Sequence, residues 1–228
     1  MRSQLRFRIE EPFFSVGTAD NSSSLPSLLR RRVSAIGQRA FQAAWPLRPD
    51  TATRFIFCSR HGEFDRTLRL LGSLTVGEPL SPADFNLSVG NALAGLLAMA
   101  AENRAGHTAI AAGEDSFAAG LLEAASCLVP ESDARVLLVY FDDALPAEYG
   151  ELEAPVPTEP IALALALGAA QGDQGDIVAT LLPTPERANR PLSASMAGDF
   201  LRFLEEKTET TSIGRQIGWR YRYAAAED

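Results

Sequence analysis

Lysine is almost missing from this chain. Its 21 basic residues are arginines apart from Lys207, and 29 acidic residues leave a net charge of −8. A chain this acidic lacks the basic surface that general nucleic-acid binding requires. There are only two histidines, His61 and His107, and two cysteines, Cys58 and Cys127. No Cys/His cluster has metal-ligand spacing, so a structural zinc site is excluded and neither metal nor cofactor is expected. Both cysteines sit in apolar surroundings and read as free buried thiols of a reducing, cytoplasmic compartment. Neither stands at a turn entering a helix, where a reactive thiolate would be expected. No apolar run is long enough to span a bilayer, Ile161 to Ala170 included. The opening MRSQLRFRIEEPFF puts charges where a signal peptide needs its apolar core.

What is present suits one globular domain. At 228 residues and 46% hydrophobic content, the chain can bury one good core, and a single domain over 1–228 is expected. Leu5, Phe7 and Ile9 alternate with Arg6, Arg8 and Glu10 at the period of a half-buried strand. A polar break at 20–24 precedes Pro26, and Leu28, Leu29, Val33, Ile36, Ala40, Phe41 and Ala44 then share one face of a predicted helix. RFIFCS (54–59) is a strand of the continuously apolar kind that lies inside a covered sheet. Arg60-His61-Gly62-Glu63 turns into a helix over 65–76, with Leu68, Leu71 and Leu74 on a common side. RVLLVYF (135–141) is a second apolar strand, and the acidic, proline-rich 148–158 reads as a surface loop. Strands over 160–169 and 177–182 suggest a hairpin. A loop over 184–193, an amphipathic helix over 194–206 and an aromatic strand with Trp219, Tyr221 and Tyr223 complete the chain. Alternating strands and helices of this kind predict an α/β layered domain.

The stretch from Ser81 to Tyr140 organises the rest. Ser81 is a candidate N-cap, with Asp84 three residues on, for a long helix over 82–103. Its small residues Ala92, Ala94, Gly95 and Ala98 suit burial between layers. A short strand, His107-Thr108-Ala109-Ile110-Ala111-Ala112, follows. It enters the turn Gly113-Glu114-Asp115-Ser116 ahead of a helix from Phe117. Strand, sharp turn and helix form the geometry in which enzymes mount a nucleophile at a helix N-terminus.

The residue order Ser81, Pro82, Phe85, Ser88, Val89, Asn91, Ala92, Ala94 and Gly95, with the SRHGE turn at His61, resembles the N-terminal half of a beta-ketoacyl synthase. Position 90 is Gly90, where relatives often carry histidine. The resemblance is best over 25–170 and weaker at the ends, the helix and strand at 194–223 included, and implies one αβα half of a thiolase-like fold. It also implies a nucleophilic cysteine at or beside Glu114, a position that holds no cysteine here. The two catalytic histidines of the family belong to a second half, which this chain is too short to repeat.

The elbow therefore offers Glu114, Asp115 and Ser116 in place of the thiol. A carboxylate at a helix N-terminus is stabilised by about 0.3–1 kcal/mol, so Glu114 or Asp115 is read first as a cap. Ser116 would need a base within hydrogen-bond reach. His107 lies about 25–30 Å back along an extended strand, and His61 could approach only through tertiary folding. Within the family, an elbow without cysteine resembles a chain-length factor, a silent homologue that pairs with an active ketosynthase in fatty-acid, polyketide or aryl polyene pathways. The resemblance implies that strand 107–112 pairs with the partner at the sheet edge. Arg30-Arg31-Arg32, the one concentrated basic feature, reads first as a solvated helix face, with contact to an acidic acyl carrier protein as the functional alternative. A stand-alone malonyl-thioester decarboxylase, acyl transferase or hydrolase using Glu114 or Ser116 is the alternative.

Overall fold

The computed structural model describes residues 3–16, 26–128, 135–146, 149 and 159–225. They build one eight-stranded sheet in the order β3-β2-β4-β5-β1-β6-β8-β7. The strands are β1 (Gln4–Val16), β2 (Arg54–Cys58), β3 (His107–Ile110), β4 (Arg135–Asp142), β5 (Ile161–Ala169), β6 (Ile177–Leu181), β7 (Thr210–Ile213) and β8 (Gly218–Tyr223). Strands β3, β2 and β4 run parallel, and the remaining pairings are antiparallel.

Side-chain alternation sorts the sheet into two apolar layers. One face carries Phe55, Phe57, Leu137, Val139 and Phe141, covered by α1 (Ser27–Arg31), α2 (Ala35–Ala44) and α5 (Ala92–Ala100). The other carries Ile56, Leu138, Tyr140, Trp219 and Tyr221 under α6 (Ser116–Cys127) and the later helix Met196–Glu206. Strand β5 shows how sequence sets the spacing. Its leucines 163, 165 and 167 fill the α6 side, while alanines 162, 164 and 166 leave room for α2 to lie close. Each of those leucines, at most 1% exposed, contributes about 1.5–3 kcal/mol by leaving water.

Several elements depart from the expected pattern. The predicted helix over the thirties is two helices, because Ser34 is extended and its Oγ accepts from Gly37 N at 3.2 Å, capping α2. The same Oγ donates to Glu63 Oε1 at 2.6 Å, and Arg66 Nη2 donates to Arg32 O at 3.1 Å, so the break is pinned from outside. The long helix over 82–103 is likewise split into α4 (Pro82–Ser88) and α5. Val89 is extended (φ −75°, ψ 147°), and Ser88 Oγ turns back to Phe85 O at 2.8 Å ahead of Gly90. Ser81 does cap α4, accepting from Asp84 N. Helix α4 buries no residue, and α3 (Phe64–Thr75) buries only Arg66, so Leu71 and Leu74 face outward.

Strands β5 and β6 form no hairpin. They lie on opposite sides of β1, meeting it at the same residue: Phe7 faces both Ala169 and Ile177. The connection therefore steps across β1, and Arg8 holds it there. Arg8 donates to Gln171 Oε1 at 2.7 Å and Asp176 Oδ1 at 3.2 Å and pairs with Asp173. Two further elements arise where a loop or nothing was expected, α7 (Thr184–Ala188) and β7, and the helix Met196–Glu206 is then α8. The expected break at 20–24 and, Tyr149 apart, the expected loop at 148–158 lie outside the described residues. Cys58 is buried and Cys127 half-buried, and among the described residues neither is joined in a disulfide.

Two outcomes check this packing. A Cβ on Gly120 would lie 2.5 Å from Cys58 Sγ, so Gly120→Ala should lower stability by about 1–3 kcal/mol, read by thermal unfolding. Gly95, with open space at that point, should tolerate alanine. The second concerns acid. Burial opposes ionisation of Asp176, but the N–H groups of Gln171 and Gly172 and the Arg8 guanidinium outweigh it and hold its pKa below the usual range. A depressed folded pKa gives stability that is present at neutral pH and lost as pH falls through it. Asp176→Asn should thus be less stable at pH 7, with the gap narrowing below a pH of about 4.

Candidate functional site

The elbow forms where β3 ends. Gly113 takes φ +59°, the turn Gly113–Asp115 is a single 3-10 turn, and α6 starts at Ser116. All three candidate residues are committed to structure. Ser116 is 1% exposed; its Oγ donates to Gly113 O at 2.7 Å and accepts from Ala112 N at 2.9 Å, stapling the turn. Asp115 is buried and accepts from Gln216 N at 3.0 Å and Ile217 N at 3.1 Å, tying the elbow to the β7–β8 turn. Glu114 accepts from Arg215 Nε at 2.8 Å, and its other oxygen lies 3.6 Å from the Arg60 guanidinium. Neither carboxylate caps α6, contrary to the first reading of the sequence.

The histidines fall in two different places. His107 sits at the start of β3, opposite Phe55, away from the elbow. His61 lies in the turn after β2, where its backbone N donates to Asp142 Oδ1 at 3.1 Å and its Nδ1 lies 3.4 Å from the same oxygen. Asp142 is fully buried and also receives Ser59 Oγ at 3.4 Å and Tyr140 OH at 3.2 Å. Burial and then the neighbouring Asp142 carboxylate push the Tyr140 hydroxyl and the Cys58 thiol well up, so neither ionises near neutrality. Asp142 stands just past the strand expected over 135–141 and has no local signal for this role, and neither has Arg215, which lies 101 residues from Glu114.

Above this network opens a cavity of about 220 Å³. It lies outside the carboxyl ends of β2, β3 and β4, beside Ser88 and Gly90 at the junction of α4 and α5, and the carboxyl ends of strands are where open α/β sheets place ligands. Phe57, Phe141 and Ile110 give apolar walls, and His61, Ser88 and Gly90 form part of the rim. Such a space can hold an apolar group. Among the described residues no group of His, Cys, Asp and Glu could hold a metal ion.

The two sheet edges differ. At β7, Ser193 closes the edge: its N donates to Ile213 O at 2.8 Å and its Oγ accepts from Ile213 N at 2.9 Å. At β3, no described strand lies beyond the edge, and Ala109 is exposed. The strand itself covers 107–110, so Ala111 and Ala112, expected to belong to it, are exposed residues of the approach to the elbow.

Residues 9–221 match the family described as the beta-ketoacyl synthase N-terminal domain. The chain belongs to that family. Among solved structures it is similar to a chain of "Ketosynthase (ApeO) in Complex with its Chain Length Factor (ApeC) from Xenorhabdus doucetiae", at 28% identity and a TM-score of 0.76, covering 89% of this chain and 83% of that one. A second similar structure, "The ishigamide ketosynthase/chain length factor", gives a TM-score of 0.55 at 14% identity. It covers 82% of this chain and 59% of its own, and supports the fold alone. No curated relative matches the chain. The thiolase-like αβα architecture expected from the sequence is thus the one observed. Within this ketosynthase-like chain, Ser81 and Pro82 open α4, Phe85 is exposed, Asn91 precedes α5, and Gly95 faces open space. No helix among the described residues is long and apolar enough to cross a membrane.

The elbow's structural role has a direct check. Asp115→Ala would strand the N–H groups of Gln216 and Ile217, costing about 1–3 kcal/mol. Glu114→Gln keeps an acceptor for the exposed Arg215 and should change the unfolding midpoint far less.

Proposed function

We propose that this chain is a non-catalytic, ketosynthase-like subunit of the chain-length-factor type. It pairs with a cysteine-bearing beta-ketoacyl synthase in an aryl polyene or fatty-acid-like pathway. The observation that carries the reading is the elbow itself. Condensation needs a thiolate to hold the acyl chain and donors to stabilise the enolate that forms. Glu114 instead lies between Arg60 and Arg215, and both hydrogen bonds of Ser116 Oγ go to backbone. A serine so bound has no base and no approach for a substrate, which speaks against the decarboxylase or transferase reading.

The open β3 edge gives the reading its second support. A row of unpaired backbone groups is an aggregation hazard unless another chain covers it. His107, Thr108, Ala109 and Ile110 would pair with the ketosynthase there, with Ala111 and Ala112 beside the contact. The cavity behind Ile110 would then open towards the partner and receive part of the growing chain. Arg30 and Arg32, both exposed, would face an acidic acyl carrier protein.

Light scattering on the chain co-expressed with a cysteine-bearing ketosynthase tests this. A stable one-to-one complex is expected, and Ile110→Asp should abolish it. A monomer or homodimer that ignores the ketosynthase would overturn the proposal.

A further inference from the structure

A second cavity, of about 600 Å³, opens at the other end of the sheet. Arg8 on its wall is level with Gly168 of β5, and Gly168 is level with Arg135, where β4 begins. The elbow and the 220 Å³ cavity lie instead beyond the ends of β3 and β4. Four strand spacings of about 4.8 Å also separate β1 from the β3 edge. The larger cavity therefore belongs neither to the elbow nor to the proposed ketosynthase contact.

Its apolar walls are mostly aliphatic. Ile9 of β1, Ile177 of β6 and Leu204 of α8 line it, and all three also pack in the core layer under α6 and α8. Tyr223 of β8 adds a ring that stacks on Phe203 with centroids 5.0 Å apart. The charged groups at the wall differ in their commitments. Arg8 is held by Gln171 Oε1 at 2.7 Å, by Asp176 Oδ1 at 3.2 Å and by Asp173. Glu10 accepts from Arg135 Nε at 2.7 Å. Lys207 lines the same cavity, is exposed, and among the described residues has no carboxylate paired with its ammonium group.

Lys207 is also the chain's only lysine, and its backbone is left-handed just past α8 (φ +54°, ψ 29°). Glycine usually takes that position at a helix end. A side chain kept there at the mouth of a cavity is the kind of local strain that ligand sites hold. We infer that this cavity binds a monocarboxylate with an aliphatic body. The chain lies along Ile9, Ile177, Leu204 and Tyr223, and the carboxylate meets Lys207. Size and charge choose this ligand. Small-molecule sites span about 300–1,000 Å³ and pair apolar walls with a few polar groups. The charges of Arg8 and Glu10 are answered within the chain, so the charge left at the mouth is positive and complements an anion.

Calorimetric titration of the full chain with sodium decanoate, below its micelle concentration, tests the inference. One saturable site is expected. Lys207→Gly should weaken decanoate about fivefold, the upper end for an exposed ion pair. Its unfolding midpoint should not fall, because glycine suits the left-handed backbone. Lys207→Arg, which keeps the charge, should bind decanoate nearly as the unaltered chain does. Decanol, which has the same chain length without the charge, should bind more weakly than decanoate and be indifferent to Lys207→Gly. Absence of saturable decanoate binding overturns the inference. It is equally overturned if Lys207→Gly leaves decanoate binding unchanged, since the site would then lie elsewhere. An equal loss of decanoate and decanol in that variant would also refute it, because Lys207 would then act only by shaping the end of α8.

Discussion

An extended strand must find partners for its backbone N–H and C=O groups, and among the described residues a neighbouring strand meets β3 on one side only. The rest of the architecture leads to that asymmetry. The sheet's far edge is closed from within, where Ser193 supplies both a donor and an acceptor to Ile213. Its centre is sealed by two apolar layers. Beside β3, helices α3 to α5 turn leucine, phenylalanine, valine and methionine outward.

The elbow beside that edge keeps the frame of a nucleophile turn with other residues in it. Glycine at positive φ, a 3-10 turn and the start of α6 would present a side chain at a helix N-terminus. Instead Ser116 closes the turn, Asp115 binds the β7–β8 turn, and Glu114 joins guanidinium groups from Arg60 and Arg215. Asp142 fixes the neighbouring His61 turn from a fully buried position. These bonds commit the elbow side chains to holding the turn and its neighbours together.

Much of this was legible in the sequence, and the gaps have physical causes. Apolar runs such as RFIFCS and RVLLVYF revealed the central strands, because a strand covered on both faces has no polar alternation to hide it. Spacing at Ser81 and Asp84 revealed the α4 cap. The breaks at Ser34 and Val89 were hidden, since a helical apolar pattern continues across both and tertiary bonds from Glu63 and Arg66 decide the first. The β5–β6 pair looked like a hairpin because a short polar turn joins them; only the insertion of β1, from the other end of the sequence, separates them. The pairing of Glu114 with Arg215 spans 101 residues and could not be read from local spacing at all. Amphipathic spacing correctly marked α3 as a helix, yet it does not say whether the apolar side meets its own core or another protein's.

The central claim is that this chain assists a ketosynthase without performing chemistry. The most direct measurement is product formation by the cysteine-bearing ketosynthase supplied with Glu114→Ala chain in place of the unaltered one. The account predicts the same products, of the same length, at a similar rate. Loss of product while the complex remains intact would mean that Glu114 takes part in the reaction, and would contradict the account.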